Sequence, residues 1–344
     1  MEPRGDEARV PSSAAQTDTP PDEPRKATPT ADDAAIRITG LTKVYDGKRA
    51  LDSLDLEIRK GDIFGYIGPN GAGKTTTIRI LAALLLPTSG RARILGVDVV
   101  RRPREIKRLV GYMPDSFGVY DNMTLGEYFD FFAAAYKIPR LRRKRVIGDV
   151  LELTDLGDKR RDLVSGFSRG MKQRACLAKT LLHNPQVLIL DEPASGLDPR
   201  ARIELRELLR ELRNMGKTIL VSSHILTELS TICNTIGIIE KGKLVAAGEV
   251  DTILKGLRTH REFTLELLES DACGRAKAWL EKRKGVHGVE RVERSLAVTM
   301  DASDEEVAEM VEGLIAEKIR LVSVQEKIVD LETAFMTLTK GELA

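Results

Sequence analysis

The stretch "GPNGAGKTT", Gly68–Thr76, decides the fold. It matches G-x-x-x-x-G-K-[ST] and lies between a segment patterned as a strand and one patterned as a helix. The glycines let successive backbone N–H groups point into a concave nest for phosphate, and the start of a helix adds partial positive charge. In such a loop Lys74 reaches the terminal phosphates, and the Thr75 hydroxyl ligates Mg²⁺. The candidate nucleotide-binding residues are therefore Gly68, Pro69, Asn70, Gly71, Ala72, Gly73, Lys74, Thr75 and Thr76.

Outward from this loop the pattern is α/β. "IRITGLTKVY" from Ile36 alternates like a strand, as does "LDLEIRKGDIFGYIG" after a turn at Asp46-Gly47. An apolar helix is predicted over Thr75–Leu86, and helical patterns dominate Thr124–Thr180. "QVLILDEP" is a short continuous apolar strand of the kind found inside a parallel sheet, and "KTILVSSH" is another. Strands alternating with helices indicate one α/β sheet.

A second unit begins after about residue 256. Its order is strand (Glu262–Leu268), helix (Asp271–Lys284), strand (Gly288–Val292), strand (Leu296–Met300), helix (Ser303–Lys318), strand (Arg320–Gln325). Ser303 and Glu306 form a capping box. The βαββαβ order is ferredoxin-like, and a last helix, Leu331–Thr339, closes the chain. The expected organisation is a disordered tail at 1–34, an α/β nucleotide-binding domain at 35–255 with a helical subdomain at about 115–175, and an accessory domain at 260–344. The tail is rich in Pro, Ala, Thr and Asp and has no apolar periodicity.

Composition narrows the class. A chain of 344 residues exceeds one small core, and a net charge of +2 argues against a nucleic-acid binder. The longest apolar run, Ile80–Leu86, is far short of the roughly 20 residues that span a bilayer, and the N-terminus does not read as a signal peptide. Cys176, Cys233 and Cys273 are widely spaced, which fits reduced thiols in the cytosol rather than a disulfide frame or zinc site.

Two more stretches carry chemistry. In "VLILDEP", Asp191 and Glu192 end a core strand, where a carboxylate is costly to bury unless it serves a cation. Asp191 can hold Mg²⁺ through water, and Glu192 can act as general base on an attacking water. In "SGFSRGMKQR", Ser168 caps a helix whose N-terminus would bind anions. That helix starts 94 residues beyond Lys74 and does not easily serve the same phosphate within one subunit; it makes sense if it completes a neighbour's site.

With these residues in order, Ile36 to Leu254 resembles the ATP-binding cassette (ABC) ATPases. Gly68–Thr76 corresponds to the Walker A loop and Asp191–Glu192 to Walker B. "FSRGM", Phe167–Met171, is a variant of the signature LSGGQ that keeps Ser168 and Gly170. "SGLD", Ser195–Asp198, looks like the D-loop, which adds Asp198 to the nucleotide-binding set. Tyr45 sits where the family stacks an aromatic on adenine, and His224 looks like the switch histidine that contacts the γ-phosphate. Glu192, His224 and Lys74 are thus the implied catalytic residues. "DLETAFMTLT", Asp330–Thr339, looks like the end of the ferredoxin-like domain carried by ATPases of the type-two exporter class.

One family position is altered. Between the two halves of the domain the family has a Q-loop glutamine that senses Mg²⁺ and the γ-phosphate. Here Met113-Pro114 is followed by Asp115, and no glutamine lies between Gln16 and Gln173. Asp115 still offers an oxygen to Mg²⁺ or water, so it joins the nucleotide and metal candidates beside Thr75 and Asp191. Around it gather Tyr112, Phe117, Tyr120, Tyr128, Phe129, Phe131, Phe132 and Tyr136, eight of the chain's fifteen aromatics. Tyr128, Phe132 and Tyr136 share a helix face; the set as a whole exceeds one core face and suggests a groove for a partner helix. The basic run "RLRRKR", Arg140–Arg145, reads as a solvated helix start.

The resemblance implies an ATPase subunit that uses ATP and Mg²⁺ to drive a separately encoded membrane permease for export. The permease would dock near residues 112–136, and a second cassette, in a homodimer, would sandwich ATP with each Ser168 facing the partner's Lys74. The implied location is cytoplasmic, peripheral on the inner face of the plasma membrane. The alternative is a soluble ABC ATPase that acts on ribosomes or DNA.

Overall fold

The computed structural model describes residues 33–116, 118, 122–225, 229, 231–250, 252–253 and 261–327. The chain enters on two long antiparallel strands, β1 (Ala34–Tyr45) and β2 (Lys48–Arg59), joined at Asp46 and Gly47. Both turn residues have positive φ, 41° and 82°, the geometry whose twist matches that of a hairpin. β1 begins at Ala34, one residue inside the segment expected to be tail. With β4 (Ser89–Ile94) and β5 (Val97–Asp98) the hairpin forms a sheet of order β2-β1-β4-β5.

The central sheet has six strands in the order β10-β9-β3-β8-β7-β6. They are β3 (Ile63–Ile67), β6 (Val110–Met113), β7 (Val187–Leu190), β8 (Thr218–Ser223), β9 (Thr235–Glu240) and β10 (Lys243–Glu249). All but β10 run parallel. Every residue of β3, β7 and β8 is buried, as continuous apolar strands covered on both faces must be. Register matters for function. Ile67 pairs with Ser223, Leu190 with Val221 and Met113 with Leu190, so four chain segments leave the same edge together. Open parallel sheets bind ligands at that carboxyl edge.

Helix α1 (Lys74–Leu81) follows β3 directly and is shorter than the helix expected to reach Leu86. Ala83 turns into the left-handed region (φ 54°), and the Leu84 N–H donates to the Arg79 carbonyl while Ala83 N–H donates to Ile80. That is a Schellman stop made without glycine, and it leaves Leu84 and Leu86 exposed. Ile78, Ile80 and Leu81 pack with Ile36, Leu51, Leu54 and Ile94 of the antiparallel sheet.

After α2 (Pro103–Leu109), a helical layer forms from α3 (Leu125–Ala135), α4 (Arg140–Leu153) and α5 (Arg169–Leu181), so it extends past the expected end at 175. Thr124 and Glu127 close a capping box on α3. Tyr128 and Phe129 are wholly buried, Phe132 and Tyr136 are half-buried, and Phe131 is exposed. Tyr128 and Phe129 thus belong to the core, and among the described residues Phe131 is the exposed aromatic of the set from which a groove was expected; Phe117 and Tyr120 lie outside the described residues. Arg140–Arg145 does begin a solvated helix.

After α6 (Pro199–Asn214), β8, β9 and β10, a four-stranded antiparallel sheet has the order β12-β13-β11-β14. Its strands are β11 (Arg261–Leu267), β12 (Val286–Val292), β13 (Ser295–Met300) and β14 (Leu321–Lys327). Helices α7 (Ala272–Leu280) and α8 (Asp304–Ala316) share a separate core with it around Phe263, Leu265, Leu296 and Leu314. The Ser303/Glu306 capping box starts α8 as its spacing predicts. Residues 1–32 of the tail expected at 1–34, the last helix and the Asp330–Thr339 stretch lie outside the described residues. Among the described residues, no helix is long and apolar enough to cross a membrane.

Candidate functional site

The loop after β3 turns into α1 through Gly73, whose φ of 111° is closed to residues with a side chain. Thr77 ties the turn down, its hydroxyl donating to the Gly73 carbonyl at 3.1 Å and lying 3.2 Å from the Tyr66 hydroxyl. Lys74 folds back under the loop and donates to the carbonyls of Gly68 (2.6 Å) and Pro69 (3.3 Å). Burial pushes its ammonium below the ordinary lysine value, while the carboxylates of Glu192 and Asp191 pull the other way.

The neighbouring strands deliver the acids. Asp191 follows β7 and is fully buried. Its N–H donates to the Met113 carbonyl at 2.9 Å, which brings the end of β6, and so Asp115, alongside. Ser222 of β8 lies opposite; its hydroxyl donates to Asp191 Oδ1 at 2.6 Å and accepts the Glu192 N–H at 2.9 Å. One side chain thus orients both acids. Burial raises the Asp191 carboxyl above the usual range, against the hydroxyls of Ser222 and Thr75, which favour its charged form. Asp191 Oδ2 is buried without a hydrogen-bond partner among the described residues.

Glu192 sits at φ 50°, a left-handed conformation that costs a non-glycine residue about 1 kcal/mol. The turn aims its carboxylate back into the cleft. There Oε2 lies 2.9 Å from His224 Nδ1 and Oε1 lies 3.6 Å from Lys74 Nζ. The result is a cleft of about 570 Å³ lined by Ala50, Pro69, Asn70, Gly71, Gly73, Lys74, Thr75, Thr76, Asp115, Arg169, Glu192, Ser195 and His224. Most of the residues singled out in the sequence meet here; Gly68 and Ala72 are buried beneath the loop. Asp115 accepts from the Ser116 N–H at 2.7 Å.

The fit of a divalent cation can be judged from Asp191. A buried carboxylate oxygen lacking a donor, beside the Thr75 hydroxyl, is the donor set a hard cation satisfies. Among the described residues no cluster of three or more His, Cys, Asp or Glu could cage a metal. Mg²⁺ keeps waters and shares its shell with phosphates, so one carboxylate and one hydroxyl are a donor set it can use.

Other candidates fall elsewhere. Tyr45 is exposed at the end of β1, with Lys43 Nζ 5.0 Å from its ring centre, and does not line the cleft. Ser168, Gly170 and Asp198 line a separate depression of about 120 Å³ with Met171 and Gln173. There Ser168 caps α5 by accepting from Met171 N–H at 3.3 Å, and Asp198 caps α6 by accepting from Ala201 N–H at 2.9 Å. Sequence reading missed Ser222, Arg169, Ser195 and Ala50 as members of the site. The repeated serine in "VSSH" was the only hint of the first.

Comparison with known proteins follows the same lines. A family profile described as "ABC transporter" matches residues 51–195. The bacitracin transport ATP-binding protein BcrA of Bacillus licheniformis is 42% identical over 231 residues, covering 67% of this chain and 74% of that protein. The daunorubicin resistance ATP-binding protein DrrA3 of Streptomyces coeruleorubidus is 35% identical, covering 72% and 78%. A solved ATP-binding subunit of an ABC transporter superposes with a TM-score of 0.59 at 31% identity, covering 65% of this chain and 95% of that one.

Proposed function

Because this chain belongs to the ABC transporter family, as an ATP-binding subunit, we infer that the cleft at the edge of the parallel sheet is where it hydrolyses ATP to energise a transporter. The observation that carries the assignment is Glu192, held between Lys74 and His224 at the mouth of the phosphate loop. The loop amides and Lys74 bind the phosphates. Incoming phosphate draws Lys74 away from Glu192, and the freed carboxylate takes the proton of the attacking water. His224 orients that carboxylate. Asp191 and Thr75, with Asp115 at the rim, would hold Mg²⁺, which neutralises phosphate charge when bound. Tyr45 would stack on the adenine.

Ser168, Gly170 and Asp198 lie apart from their own chain's cleft, which supports a head-to-tail homodimer in which each set completes the site of the other copy. The permease would be separately encoded and act in export, as the names of the antibiotic transport and resistance relatives suggest. It would dock near 112–136, where Phe131 is exposed, and hold the subunit at the cytoplasmic face of the membrane. The C-terminal βαββαβ order with strands β12-β13-β11-β14 supports a ferredoxin-like accessory domain at 260–344, after a nucleotide-binding domain at 35–255. Action on ribosomes or DNA is not favoured by those relatives. The test is phosphate release by the full chain and its Glu192→Gln variant, with co-purification of a permease from detergent-solubilised membranes. A variant that hydrolyses ATP like the parent removes the assignment.

A further inference from the structure

The turn that joins β9 to β10 does more than reverse the chain. Lys241 and Gly242 fill its two central places at φ 47° and 80°, with Glu240 and Lys243 paired across it. A two-residue hairpin turn of this kind calls for glycine by its conformation alone. The turn between β4 and β5 is alike, with Leu95 and Gly96 at φ 48° and 80° and Ile94 paired with Val97. There a Cβ on Gly96 would meet nothing within 4 Å. A Cβ on Gly242 would lie 2.7 Å from the Ala50 carbonyl oxygen and 2.9 Å from Leu51 Cα. The backbone of Gly242 is also taken up outside the hairpin: its N–H donates to the Ala72 carbonyl at 2.9 Å, and its carbonyl accepts the Asp52 N–H at 2.9 Å. Lys243 Nζ adds an ion pair to Asp52 at 3.1 Å. Ala72 belongs to the phosphate loop, whose Gly68 sits as tightly on β9; a Cβ there would lie 2.3 Å from the Ile239 carbonyl oxygen.

We propose that Gly242 is a positioning residue for the phosphate loop: it holds the Ala72–Gly73 peptide so that the Gly73 N–H is aimed at phosphate before any nucleotide arrives. The inference rests on the cleft being the nucleotide site. In a planar trans peptide the C=O and the N–H that follows it point in opposite directions. Gly242 draws the Ala72 carbonyl to one side, which turns the Gly73 N–H to the other, toward the cleft that Gly73 lines. A donor fixed in advance spares binding the cost of ordering it. Only glycine serves, because the backbone of β2 occupies the place of a side chain. Any Cβ lifts the turn from Ala50 and releases the Ala72 carbonyl.

The experiment is equilibrium binding of ATP and of ADP to the full chain in EDTA, where turnover does not intervene. It is read well below the melting temperature, with circular dichroism giving the folded fraction, so that a loss of stability alone does not move the dissociation constant. Gly242→Asn is the informative variant, because asparagine enters the left-handed region readily and keeps the turn, yet carries a Cβ. It is expected to weaken both nucleotides roughly tenfold, the scale of one lost backbone hydrogen bond. The losses should match, since the loop amides cradle phosphates that ATP and ADP share. Gly96→Asn, the same change at the open turn, should bind both like the parent. Lys243→Glu tests the contact from its exposed rim without a clash, and decides the matter if Gly242→Asn does not fold. Set against Asp52, it should weaken both nucleotides about threefold, and adding Asp52→Asn should recover part of that. Parent-like binding by Gly242→Asn or by Lys243→Glu, an equal loss in Gly96→Asn, or a loss confined to ATP would each overturn the proposal. Lys74→Ala is the control on the underlying reading. If it weakens neither nucleotide, the cleft is not the nucleotide site; if it weakens both while Gly242→Asn binds like the parent, the assignment of Gly242 alone falls.

Discussion

The phosphate cleft and the Ser168 end of α5 both present polar groups at helix starts, yet they are built differently. In the cleft, Lys74, Asp191 and Ser222 are buried and interlocked across three strands far apart in sequence. At the other end, Ser168 and Asp198 are exposed and, among the described residues, bond within their own first helical turns. The first region is preorganised by its own chain, as electrostatic catalysis requires. The second is complete as a cap and incomplete as a site, and this is the physical ground for proposing that its phosphate would come from another copy.

Substitutions can break that contrast. The largest effect is expected from Glu192→Gln, which keeps the shape and removes the base: ATP should still bind, while phosphate release falls at least ~100-fold. Ser168→Arg probes the other region. Light scattering should find the ATP-dependent dimer lost, with nucleotide affinity of the single chain unchanged; a surviving dimer would show that the exposed end has no such role.

Ser222→Ala sharpens the account of the cleft. Removing a buried bridging hydroxyl should lower stability by about 1–3 kcal/mol, read as a drop in melting temperature. It also strips a donor that favours charged Asp191, so the raised pKa of that carboxyl should move further up. Protonation then competes with the cation sooner as pH falls, and Mg²⁺ dependence of turnover should steepen at a higher pH than in the parent. An unshifted profile would separate Asp191 from Mg²⁺.

Asp115 should matter less for holding nucleotide, since the loop amides and Lys74 dominate. Asp115→Ala is expected to keep Mg²⁺-ATP affinity within about tenfold, or roughly 1.4 kcal/mol, while lowering turnover and its stimulation by a permease. Asp115→Gln should retain the most and Asp115→Asn fall between; three parent-like variants would make it a plain loop residue. Smallest of all, removal of residues 1–33, a segment poor in apolar side chains, should change neither turnover nor melting temperature.

What could be read from the sequence was local. The phosphate loop, the Asp191-Glu192 pair and the caps at Ser168 and Ser303 depend on spacings of a few residues, so the string displays them. Ser222 stands 31 positions from Asp191, and only the β7–β8 register makes them neighbours. Arg169 reaches the cleft through side-chain length, which no pattern encodes. The early end of α1 has a similar cause: Ile80–Leu86 is uniformly apolar, yet a left-handed turn at Ala83 outweighs that periodicity. The aromatic run misled in the opposite direction, because residues off the Tyr128 stripe, Phe129 above all, are also core.

The contact between Lys74 and Glu192 gives the resting molecule a built-in interlock. Lys74 and His224 face the two oxygens of the carboxylate, so in an empty cleft neither oxygen is left open to a stray water. On the proposed reading, only an anion able to claim Lys74 would free that oxygen for the attacking water, and the fuel would arm the machinery that consumes it. Small phosphoesters too short to reach Lys74 should then pass through uncut.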